Sequence, residues 1–175
     1  RDNCGIVVFY GGAITSAGTG AGATVTVRGQ GGNTSGSGGV NWGVYLRDAG
    51  LITSSGGTVL VEGTGGGAGE SSSNYGVLVF SAGTITSGGT GGATVQGLGG
   101  SSAGSDNHGV YLNGVNSRIT SAGGDITVTG TAGTGTGRFG IYTTSSGRVN
   151  GATGTPLLTL VADSTGGGII ETRVV

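Results

Sequence analysis

Apolar residues in this chain come in short bursts spaced two apart, each burst followed by glycine or a polar turn. Ile6 and Val8, Val44 and Leu46, Val77 and Val79, and Val110 and Leu112 are four such pairs, and Ile141 opens a fifth in which Thr143 replaces the second aliphatic. A period of two is that of a strand, whose successive side chains point to opposite faces. These residues are expected to point inward, with Thr143 the one polar defect in its column. The residues between them (Val7, Tyr45, Leu78, Tyr111 and Tyr142) are expected to point outward. Ile14, Ile52, Ile85, Ile119 and Val149 form a second inward stripe. A third alternation gives Val25 and Val27, Val59 and Val61, Ala93 and Val95, Ile126 and Val128, and Leu158 and Leu160. No stretch carries an apolar 3.6-residue period, so helices are not expected.

The bursts repeat in register. The pattern Asn-x-Gly-(Val/Ile)-x-(Leu/Val) starts at Asn3, Asn41, Asn74 and Asn107, and in degenerate form at Arg138. Ile-Thr-Ser follows eleven residues later in the first three units, one residue late in the fourth, and decays to Val149-Asn150-Gly151 in the fifth. Three short strands recurring every ~33 residues mark a solenoid, because a sandwich has no reason to return the same residue type to the same register. The expected fold is all-β: a right-handed parallel β-helix of about five coils with three strands each, its hand following from the preference of parallel crossovers. The units read as 3–40, 41–73, 74–106, 107–137 and 138–167, with a partial sixth over 168–175 begun by Gly168-Ile169-Ile170. One coil buries too little to stand alone, so its stability must come from stacking on its neighbours.

Composition narrows the function. Glycine supplies 46 of 175 residues, but a single proline excludes collagen. Charged residues are 9% and the net charge is −1, so there is no basic footprint for nucleic acid. No apolar run approaches the length of a membrane span. One cysteine allows no internal disulfide. A chain with no methionine that begins at Arg1 reads as a processed product or a piece of a longer one.

Candidate chemistry is sparse. The Asn3, Asn41, Asn74 and Asn107 column could be a ligand comb, or a structural ladder in which stacked amides bond from coil to coil. The following position holds Cys4, Trp42, Tyr75, His108 and Phe139, which could stack on sugars or shield the turn. Cys4 and His108 stand three coils apart, about 14 Å by strand spacing, too far for a nucleophile pair. Thr15, Thr53, Thr86 and Thr120, and a second threonine column at Thr26, Thr94, Thr127 and Thr159, would suit an ice-binding face. Leu60, Arg118 and Arg148 interrupt them, with Arg28 and Glu62 alongside. Asp48, Glu62, Glu70, Asp106 and Asp125 fall at different places in their units and form no catalytic pair. Gly123-Gly124-Asp125 is one isolated match to a calcium nonapeptide, and Asn33-Thr34-Ser35 one glycosylation sequon. No metal, cofactor or catalytic residue is expected. The structural ladders (Asn3, Asn41, Asn74, Asn107; Ile14, Ile52, Ile85, Ile119) are the residues singled out.

The strings NWGVYL, NYGVLV and NHGVYL, with AGTITS and GGDITVTG between them, resemble the large secreted bacterial β-strand-repeat surface proteins. Those are similar in turn to filamentous-haemagglutinin and autotransporter-type adhesins. The resemblance covers residues 3–161 and implies secretion, a right-handed β-helix, and roles in adhesion, biofilm matrix or surface filaments. It brings no catalytic residue. The expectation is a non-enzymatic extracellular fibre, stalk or filament at the cell surface, its partner another copy of itself stacked head to tail. The rival readings are a segment binding surface glycans and an ice-binding face.

Overall fold

A computed structural model describes residues 2–32, 40–151 and 157–163. The sequon at Asn33 and the sixth coil expected from Gly168 lie outside the described residues. Among the described residues, fifteen strands follow one another in three-stranded rungs. The rungs are β1 (Ile6–Val8), β2 (Ala13–Thr15) and β3 (Val25–Gln30); β4 (Val44–Leu46), β5 (Leu51–Thr53) and β6 (Val59–Thr64); β7 (Val77–Phe80), β8 (Thr84–Ser87) and β9 (Ala93–Leu98); β10 (Val110–Asn113), β11 (Arg118–Ser121) and β12 (Ile126–Thr131); and β13 (Ile141–Thr144), β14 (Arg148–Asn150) and β15 (Leu158–Asp163). Each rung gives one strand to each of three parallel sheets, ordered β1-β4-β7-β10-β13, β2-β5-β8-β11-β14 and β3-β6-β9-β12-β15. The described residues therefore form a parallel β-solenoid of five rungs, about four turns from the first to the last.

The register is that of the repeat. Ile14, Ile52, Ile85, Ile119 and Val149 are successive partners in the second sheet. Ile6, Val44, Val77, Val110 and Ile141 are partners in the first. Both columns join the aliphatics of the third sheet in one core, where Ile52, Ile85 and Ile119 have no exposed surface. The late Ile-Thr-Ser of the fourth unit costs no register, because the extra residue is absorbed between β10 and β11, in a turn with Gly114 and Asn116 at positive φ. Thr143 is buried in its apolar column.

Two features differ from the sequence reading. Strands of the third sheet are six residues long rather than three, because the alternation continues through a glycine: Gly29, Gly63, Gly97 and Gly130 pair along the sheet. The column expected to face outward from the first sheet is also largely covered. Tyr45 and Leu78 are buried and Tyr111 half-buried, although they point away from the main core. A second apolar cluster closes over them.

Candidate functional site

The glycines decide the cross-section. A Cβ on Gly29, Gly63, Gly97 or Gly130 would lie 2.0–2.2 Å from the carbonyl oxygen of Gly43, Gly76, Gly109 or Gly140, one residue before the first-sheet strand of the next rung. No real Cβ fits there, so the third sheet and the chain entering the first sheet touch backbone to backbone. This contact forms a waist between the aliphatic core and a second lobe built from the described Gly/Ser-rich stretches, 65–73 and 99–106 among them.

The second lobe holds the asparagines. Asn41, Asn74 and Asn107 are fully buried. Asn74 Oδ1 accepts from the Asn41 side-chain amide at 2.8 Å and from its backbone N–H at 3.1 Å, and Asn107 Oδ1 accepts from Asn74 in the same way at 2.9 and 3.1 Å. Asn3 Nδ2 donates to Asn41 Oδ1 at 3.3 Å. The column ends at Asn107, whose Nδ2 donates to Thr134 O at 2.8 Å, and Arg138 occupies the place of the next asparagine. The structure thus brings the four asparagines into one chain of amides that satisfy one another. A similar device ends the second-sheet strands, where Ser54, Ser87 and Ser121 each donate across the turn to Gly57, Gly91 and Gly124 carbonyls. The serine recurring after Ile-Thr was visible in the sequence. Its polarity on a strand end gave no hint that Ser54, Ser87 and Ser121 would be buried.

The ring column lies on the outer side of the first sheet, over the waist. His108 stacks between Tyr75, at 5.2 Å between centroids and 6° between planes, and Phe139, at 5.4 Å and 23°. Trp42 lies parallel to Tyr75 at 6.1 Å and meets Tyr45 edge-on at 4.3 Å. Tyr111 and Tyr142 pack beneath His108. His108 is 2% exposed, and its Nδ1 accepts the Phe139 N–H at 3.1 Å. Burial lowers its pKa to about 4, and Asp106 opposes that shift. Burial raises the Tyr45 and Tyr75 hydroxyls and pushes the Cys4 thiol up. Cys4 heads the same column three rungs from His108.

The opposite side of the waist is open. A groove of about 650 Å³ runs along the outer face of the third sheet with the glycine backbone as its floor. Arg28, Glu62, Gln96 and Thr129 form one wall; Gln30, Thr64, Leu98 and Thr131 form the other. Arg28 Nε donates to Glu62 Oε2. Leu60 breaks the adjacent column between Thr26 and Thr94. The other threonine column, Thr15, Thr53, Thr86 and Thr120, is in register on the second sheet and ends at Asn150.

Among the described residues, no three His, Cys, Asp or Glu side chains gather where they could hold a metal ion, and no helix is long and apolar enough to cross a membrane. Comparison with family models, curated proteins and solved structures finds no match to this chain.

Proposed function

We propose that the chain is a non-enzymatic length of structural rod, belonging to an extracellular fibre, stalk or surface filament. The observation that supports this best is where the polar and aromatic columns spend their bonding capacity. The buried asparagine amides bond to the next rung, and the one histidine accepts a backbone N–H inside a ring stack. Groups used in this way hold coils in register and are not free to act on a substrate. The resemblance of the repeat strings to secreted surface proteins supports an extracellular setting.

Rods of this kind grow by adding rungs. Among the described residues, β1, β2 and β3 have no strand on one side, and β13, β14 and β15 none on the other. Unpaired parallel edges are templates for further pairing. The stacking is proposed to continue, through more of the same chain or through a second copy meeting it head to tail, a contact that propagates unless rotation closes a ring. Analytical ultracentrifugation with electron microscopy of the 175-residue chain tests the second route. Rods of constant width that lengthen with concentration are expected, whereas a stable monomer over a wide concentration range contradicts self-stacking.

A further inference from the structure

We propose that the groove on the third sheet binds an extended, uncharged polysaccharide laid along the solenoid axis. This goes beyond the rod reading and does not depend on it.

The waist makes a hollow on each of its two outer sides, because the backbones meet where side chains would otherwise hold them apart. On the first-sheet side the hollow is filled from Tyr75 onward by His108 and its neighbours, and a smaller opening of about 290 Å³ remains at the first two rungs between Cys4, Trp42, Tyr45 and Arg47. On the third-sheet side it is left open, with the exposed Arg28, Gln30, Gln96 and Leu98 side chains flanking the glycine floor. Beside the paired Arg28 and Glu62, the polar lining is amides and hydroxyls: Gln30, Gln96, Thr64, Thr129 and Thr131. These groups both donate and accept, which is what a chain of sugar hydroxyls requires. Leu98, an exposed aliphatic in an otherwise polar wall, offers a contact for the C–H face of a sugar ring.

Charge and shape exclude the other polymers. Among the described residues, the only charged ones lining the groove, Arg28 and Glu62, pair with each other. The groove therefore presents no net charge to attract nucleic acid or an acidic glycan. An extended peptide usually binds by adding a strand to a free sheet edge. This groove lies on a sheet face whose backbone groups are already used in the ladder. Its lining runs from Arg28 in the first rung to Thr131 in the fourth, three strand spacings or about 14 Å. The contacts recur along the axis, so a polymer gains from engaging several at once.

The test is affinity electrophoresis of the 175-residue chain through gels holding dextran, galactomannan, xyloglucan or soluble starch, with heparin and hyaluronate as acidic comparisons. Retardation by at least one neutral polymer is expected, with little change in moderate salt. Gln96→Ala with Thr129→Ala should weaken that binding by about tenfold, the loss of two hydrogen bonds. Thr53→Ala with Thr86→Ala, on the second sheet, should leave it unchanged. Thermal melts of both variants check that each is folded. Retardation by none of the neutral polymers, by the acidic ones alone, or equally in the groove variant would overturn the proposal.

Discussion

The two outer sides of the glycine waist begin from the same backbone and end as opposites. On the first-sheet side, rings stack from rung to rung and bury a histidine and two tyrosines. On the third-sheet side, Gln96, Thr64 and Thr129 line an open trough. The difference lies in side-chain character, since both hollows arise from the same backbone contact: rings stack over one, whereas Arg28, Gln30, Gln96 and Leu98 stay exposed beside the other. One side is part of the core's insulation, so changes there should be read as stability. The other is lined by exposed side chains, so changes there should leave stability nearly unchanged.

The waist itself should show the largest effect, because both sides depend on it. Gly63→Val places a branched side chain against the Gly76 carbonyl, where even a Cβ would sit at 2.1 Å. Relieving that clash requires the sheets to part, and a loss of about 4 kcal/mol or failure to fold is expected in urea denaturation. Gly63→Val folding with near-native stability would remove the waist as the cause of either hollow.

Tyr75→Ala should cost about 3–4 kcal/mol, the usual range for deleting a buried aromatic side chain. It strips the contacts on both Trp42 and His108. A melting temperature close to that of the parent would mean the ring column is decoration rather than insulation.

Acid should act through the same side. The folded chain holds His108 neutral down to about pH 4, while the unfolded chain protonates it near 6.5. The His108 contribution is therefore complete above pH 6.5, is lost as the pH falls towards 4, and changes little below that. Its size is about 3 kcal/mol by linkage. His108→Phe keeps a ring in the stack and removes the titration. The difference in stability between parent and variant, followed by denaturation from pH 7 to 4, should shift by that amount; a pH-independent difference would place the imidazole in contact with water.

The smallest effect belongs to the groove. Gln96→Ala should change stability by no more than about 0.5 kcal/mol, as for an exposed residue away from any buried network. A loss comparable to that of Tyr75→Ala would show that both sides are structural.

The columns were legible in the sequence because strand alternation and a near-constant repeat length are both one-dimensional. Ile52 and Ile85 stand 33 residues apart, and that spacing alone pairs them. The asparagine ladder was legible as a recurring turn residue with two alternative uses, and only geometry shows each amide meeting the next. The waist was not legible. Gly63 and Gly76 are two glycines among 46, and composition does not distinguish those that only turn the chain from those that let two backbones touch. With the waist hidden, Tyr45 and Leu78 read as solvent-facing from their strand parity. The groove was hidden for the same reason.

The solenoid register makes residues one repeat apart neighbours in one column, and a cross-link tests that directly. Thr53 and Thr86 are register partners on the outer face of the second sheet, and Thr120 is the next partner beyond Thr86. Adjacent parallel strands lie about 4.8 Å apart, within disulfide range, whereas two spacings exceed it. In a Cys4→Ser background, the pair Thr53→Cys and Thr86→Cys should close an intramolecular disulfide on mild oxidation, read as a mass loss of two hydrogens in the monomer. The pair Thr53→Cys and Thr120→Cys should stay reduced or link separate molecules. The reverse pattern, or equal closure of both pairs, would contradict the solenoid register.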